Sequence, residues 1–90
     1  MNNNNKEITL KNFEIKEMTD VQGRVYYLLV NNENRDEAYF CFKSIVKSGW
    51  EILESGKYPS ELVIEYEESE QSGKIYRRVV ILSSVDDMFI

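Results

Sequence analysis

An all-β domain carrying one helix is the fold class this 90-residue sequence predicts, in the order strand, strand, strand, helix, strand, strand. Three observations lead there. Five runs alternate or concentrate apolar residues as strands do. A single stretch, residues 43–55 (KSIVKSGWEILES), has a helical period instead. Clusters of Gly, Asn, Asp and Ser separate the runs as turns do. Ninety residues make one small domain. It is expected over residues 6–83, with an N-terminal tract at 1–5 and a tail at 84–90.

The tract, MNNNN, is read as frayed or disordered. The first strand is expected over about residues 7–18. Ile8 and Leu10 share one face under strict alternation, and Phe13 and Ile15 fall on the other. A bulge or bend at Lys11–Asn12 lets one core face continue. A long bent first strand is what a small barrel needs to curl. Residues 19–23 are a turn, in which Gly23 supplies backbone freedom and Asp20 closes a local side-chain bond. The second strand, 24–30 (RVYYLLV), is apolar or aromatic on both faces and therefore central. After the polar loop 31–35 comes the third strand, 36–42. Ala38, Phe40 and Phe42 point one way along it, and Glu37, Tyr39 and Cys41 the other.

In the helical stretch, Ile45, Val46, Gly49, Trp50, Ile52 and Leu53 form an apolar stripe with Trp50 as the inward anchor. Gly49 costs helix propensity, which signals close packing against a strand or a break. Gly56 and Pro59 end the helix. The fourth strand is 61–67, with Leu62, Ile64 and Tyr66 inward. A polar loop at 68–73 leads to the fifth strand, 74–82.

Composition narrows the function. The net charge is −5, from 16 acids and 11 bases, which disfavours a uniformly basic nucleic-acid coat but not a local basic groove. With no His, no Cys pair and no glycine-rich phosphate loop, neither enzyme chemistry nor a metal or other cofactor is expected. Glu65, Glu67, Glu68 and Glu70 read as a solvated face, since no ligand-loop pattern accompanies them. The lone Cys41, in AYFCF, reads as a small buried hydrophobe and fits a reducing cytoplasm. No apolar run is long enough to span a membrane, and the N-terminus has no signal-peptide character. Cytoplasmic localisation is the expectation.

The element order resembles the OB-fold, a five-stranded Greek-key barrel whose helix lies between the third and fourth strands. Its rivals are an SH3-like barrel and an open sheet with a helix packed across it. The resemblance covers residues 6–83 and is one of architecture. It implies non-enzymatic binding of single-stranded nucleic acid, DNA first, by aromatic rings on which bases stack and cations that follow the phosphates. The candidates are Tyr26 and Tyr39 for stacking and Arg24 and Arg35 for phosphate. Lys74, Tyr76, Arg77 and Arg78 extend the groove. Five of these have a plainer reading: Tyr26, Tyr39 and Tyr76 as half-buried strand residues, and Arg77 and Arg78 as cross-strand partners of Glu65 and Glu67.

The tail adds Asp86, Asp87 and Phe89. It is similar to the acidic, Phe-bearing tip of bacterial single-stranded-DNA-binding proteins, which implies capture by a partner protein. Here Ile90 follows the Phe, and the family's long linker is absent. The alternative function is an acidic protein-interaction module or inhibitor, of the kind mobile elements encode, that occupies a basic site on a partner. Homo-oligomerisation through a strand edge is open to either.

Overall fold

The structure is a computed structural model that describes residues 5–84. Six strands and one short helix follow in order: β1 (Lys6–Leu10), β2 (Phe13–Thr19), β3 (Val25–Asn31), β4 (Ala38–Cys41), α1 (Trp50–Glu54), β5 (Leu62–Gln71) and β6 (Lys74–Ser84). They form one mixed sheet in the order β1-β5-β6-β4-β3-β2. All neighbours are antiparallel except β4 and β6, which run parallel with Phe40 level with Arg78. The protein is thus mostly β with one helix. Among the described residues no helix is long and apolar enough to cross a membrane.

The expected first strand is two strands, which makes six where five were expected. The break falls at the expected place. β1 ends opposite Leu62 and β2 begins opposite Asn31, with Lys11 and Asn12 between them. Asn12 is held there by Asn32, whose backbone N–H donates to the Asn12 carbonyl at 2.9 Å and whose Nδ2 donates to Asn12 Oδ1 at 3.1 Å. The break lets the N-terminal half pair with β5 and the C-terminal half with β3, so that Leu10, Phe13 and Ile15 all meet the core.

The helix is a correction. It occupies five residues, not the thirteen of 43–55. Residues before it are drawn onto β6 instead. Lys47 N–H donates to the Val80 carbonyl at 2.7 Å, and Leu82 N–H donates to the Ser48 carbonyl at 2.9 Å. Gly49 then turns the chain at φ +94°, against Leu82. Hydrogen bonds to a strand edge outweigh the modest helical preference of a segment interrupted by Gly. Trp50 follows, half-buried, with its ring edge-on to Tyr27 at 5.4 Å.

The last hairpin is tighter than the expected loop at 68–73. Ser72 and Gly73 form a two-residue turn with φ of 54° and 81°, the left-handed pair that suits a twisted hairpin. Glu68 to Gln71 are therefore strand. Within the hairpin a bulge at Val80 separates the Tyr66–Val79 and Glu65–Ile81 pairs, which turns both Val79 and Leu82 to the core. The core is built on the face bearing Tyr27, Leu29, Tyr39, Cys41, Ile64 and Tyr66, with Leu53 of α1 packed in.

Candidate nucleic-acid interface

The opposite face of β3, β4 and β6 carries a row of aromatic rings. Pairing fixes it. Leu28 lies opposite Phe40, so even-numbered residues of both strands share the outer face, and Arg78 joins them level with Phe40. Tyr26 stands 5.3 Å from Phe42 and 6.3 Å from Phe40, centroid to centroid. Phe40 and Phe42 are 5.9 Å apart and nearly parallel, at 15°. Tyr76 extends the row from Phe40 at 6.2 Å. All four rings are half-buried, which keeps their orientation fixed while leaving ring surface open. Aromatic contacts of this spacing hold one another in place.

Cations flank the row. Lys16 of β2 lies opposite Leu28. Arg78 donates to Ser69 Oγ at 3.1 Å and stands only loosely, at 4.0 Å, from Glu67 Oε1. At the other end Tyr26 and Phe42 also line a cavity of about 680 Å³. Its wall continues through Asp20, Arg24 and Val25 at the start of β3, Lys43 and Ser44 after β4, and Trp50 and Glu54 of α1. Asp20 organises the β2–β3 turn: its Oδ1 accepts from the N–H of Gln22 and of Arg24 at 2.8 and 2.9 Å. Its Oδ2 accepts from Arg24 Nε at 3.0 Å. These bonds, led by the Arg24 backbone N–H, hold the Asp20 carboxyl below its ordinary range. Lys43 makes no ion pair among the described residues. Trp50 Nε1 is buried without a hydrogen-bond partner among them.

Of the residues expected from the sequence, Arg24, Tyr26, Tyr76 and Arg78 are placed on or beside this face. Tyr39 is the correction. It is 1% exposed, packs edge-on to Tyr66 at 5.0 Å, and donates its hydroxyl hydrogen to Glu37 Oε2 at 2.9 Å. Burial, reinforced by Glu37, raises its pKa. No base can stack on a ring enclosed in that way. Arg35 is at the far end of β3 from the cavity, paired with Glu14 at 3.2 Å. Lys74 sits exposed at the hairpin turn, opposite Gln71. Arg77 faces inward over the Tyr39 ring at 5.8 Å and pairs with Glu68, not Glu65, at 3.2 Å. Asp86, Asp87 and Phe89 lie outside the described residues.

Phe40 and Phe42, which form the middle of the row, were not among the residues expected from the sequence. The alternation already placed them together, opposite Tyr39; choosing between the two faces required the strand register. Cys41 is fully buried, and desolvation pushes its thiol up to about 12. Among the described residues no group of three or more acidic or thiol ligands gathers to hold a metal ion. Glu68 is occupied by Lys6 at 2.7 Å as well as by Arg77, and Glu65 Oε2 accepts from Asn5 Nδ2 at 3.2 Å. Comparison with known protein families, curated proteins and solved structures returns no match.

Proposed function

We propose that this protein is a small OB-type barrel that binds single-stranded nucleic acid, DNA in the first instance, without catalysing a reaction. The observation that carries the reading is the row Tyr76, Phe40, Phe42 and Tyr26 on the outer face, flanked by Arg78 and Lys16. Rings spaced along a face receive successive bases whatever their sequence, and the flanking cations meet the phosphates. The barrel reading is supported by the sheet order. Its two edge strands, β1 and β2, are consecutive in the chain and separated by only Lys11 and Asn12. One bent first strand shared between β5 and β3 is what curls such a sheet on itself.

The acidic-module reading has less support. Of its four glutamates, Glu68 is paired with both Lys6 and Arg77, which lowers the free negative charge on that side. Titration of a fluorescent oligothymidine at low and moderate salt tests the function. Binding in the micromolar range or tighter at low salt, weakening as salt rises, is expected. No binding in that range at low salt ends the reading.

A further inference from the structure

The rings of the outer face are set at a regular step. Tyr26 of β3, Phe40 of β4 and Tyr76 of β6 lie on three neighbouring strands. The centroid steps are nearly equal, 6.3 Å from Tyr26 to Phe40 and 6.2 Å from Phe40 to Tyr76. Register makes the line diagonal. Phe40 is level with Leu28 on β3 and with Arg78 on β6, so Tyr26 and Tyr76 are each displaced two residues from it, toward opposite ends of the sheet. Phe42 is not a separate step. It stands 5.3 Å from Tyr26, tilted by 40°, and backs that ring. The line ends at the two tyrosines. The other ring contacts among the described residues, Tyr27 with Trp50 and Tyr39 with Tyr66, belong to the core side.

The step length decides how a strand can lie. Stacked bases in a nucleic-acid helix rise about 3.4 Å per nucleotide along each strand. Steps of 6.2 and 6.3 Å are nearly twice that, so bases seated on successive rings cannot stack on one another. Each exchanges its neighbour's face for a ring, and the strand is extended. Tyr26 and Phe40 are within 25° of parallel, which seats two bases in nearly the same orientation. Tyr76 is turned 53° from Phe40, and the third base turns with it. Three bases are joined by two phosphodiesters, and two cations flank the line. Arg78 is level with Phe40 on one side, and Lys16 lies across Leu28 on the other. Lys16 has no ion pair among the described residues, and the only one Arg78 makes there is the 4.0 Å approach to Glu67.

We infer that the outer face takes three consecutive nucleotides of an extended, unstacked strand, one base on each of Tyr26, Phe40 and Tyr76. Phe42 is a positioning residue behind Tyr26. The inference rests on the outer face being a nucleic-acid surface, and it adds the size and form of the ligand: a trinucleotide fills the site.

Competition against a labelled oligothymidine, using the full chain at moderate salt, tests it. The competitors are unlabelled oligothymidines of one, two, three, four, six and twelve nucleotides with hydroxyl ends. Affinity is expected to rise about tenfold with each of the second and third nucleotides. Beyond three it rises only in proportion to the number of places at which a three-nucleotide site can begin. Tyr76→Ala moves the break from three nucleotides to two, and Tyr76→Phe, which keeps the ring, leaves it at three; circular dichroism checks that both variants are folded. In the unmodified chain, a break at another length, or a rise that stays steep to twelve, overturns the three-ring line and leaves the nucleic-acid surface intact. A break that stays at three in folded Tyr76→Ala also overturns it. Failure of every length to bind overturns the nucleic-acid reading itself, and the three-nucleotide site with it.

Discussion

Replacing Gly49 by Ala is expected to cost far more than any other glycine substitution in the described chain. A Cβ built at Gly49 would lie 2.2 Å from the Leu82 carbonyl oxygen and 2.7 Å from Leu82 Cβ. The φ of +94° adds strain of its own, on the order of 1–2 kcal/mol for an L side chain. The obstacle is backbone in a central strand and cannot swing aside. Relief requires moving Gly49 away from β6, which breaks the Leu82–Ser48 and Lys47–Val80 hydrogen bonds, each contributing about 1 kcal/mol. The sum is roughly 3–4 kcal/mol, a large part of the ~5–15 kcal/mol that stabilises a domain. Gly56 is the control, since it has a similar φ of +72° and nothing within 4 Å of a built Cβ. Gly56→Ala carries only the conformational cost of about 1 kcal/mol. Thermal unfolding followed by circular dichroism separates them. At ~4–8 °C per kcal/mol, Gly49→Ala should melt about 10 °C or more below Gly56→Ala. Equal melting temperatures would refute the account of why the helix is short, and with it the geometry that sets Trp50 and the cavity wall.

Phe40→Ala and Tyr39→Phe should separate binding from stability. The first removes the middle ring of the row and is expected to weaken oligothymidine binding by about 1–3 kcal/mol. The second breaks only the buried bond to Glu37 and should lower stability by roughly 0.5–1.5 kcal/mol with affinity unchanged; calorimetric titration and chemical denaturation read the two. Arg78→Gln should reduce the salt dependence of binding by about 0.7 in the slope of log K against log salt, the contribution of one phosphate contact to a single strand. Alkaline stability should fall above pH 9. Cys41 has an ordinary value of 9.0 and is raised to about 12 in the fold, so its contribution is complete below 9 and is lost as pH rises toward 12. The slope is about 1.4 kcal/mol per pH unit in that window. Cys41→Ala should flatten the denaturation profile between pH 9 and 10, where Tyr39 is still neutral; an unchanged slope there would count against the buried-thiol account.

Near neutral pH the Asp20, Glu37 and Glu68 carboxyls are all held below their ordinary values: Asp20 by backbone N–H groups, Glu37 by the Tyr39 hydroxyl, Glu68 by Lys6. A depressed carboxyl contributes stability that is full above its unfolded value and is lost as pH falls through its folded one. Acid unfolding followed by fluorescence should therefore begin below about pH 4.5 and shift upward in Tyr39→Phe, which removes the largest donor to Glu37.

Much of this protein was legible in its residues. The alternation in 62–66 put Leu62, Ile64 and Tyr66 inward, and all three are in the core. The switch of face between Leu10 and Phe13 located the bend at Lys11–Asn12, because a period of two admits no other way to keep both pairs buried. Asp20 and Gly23 announced their turn through local bonding that any tertiary setting would permit. These features depend on neighbours in sequence.

What the sequence could not settle depends on partners distant in the chain. The apolar spacing of 43–55 is real, but whether those backbone groups bond within a helix or to β6 is decided by the energy of a strand edge the local pattern does not contain. Alternation divided Phe40 and Phe42 from Tyr39, yet both faces of that strand are aromatic, and only pairing with β3 and β6 decides which is enclosed. Tyr39 lost its surface to the core and the phenylalanines kept theirs. By itself the sequence determined where strands run and bend, through local periodicity. The tertiary structure alone decided which aromatic rings face out and where they meet a cavity, because register and burial arise from contacts between strands.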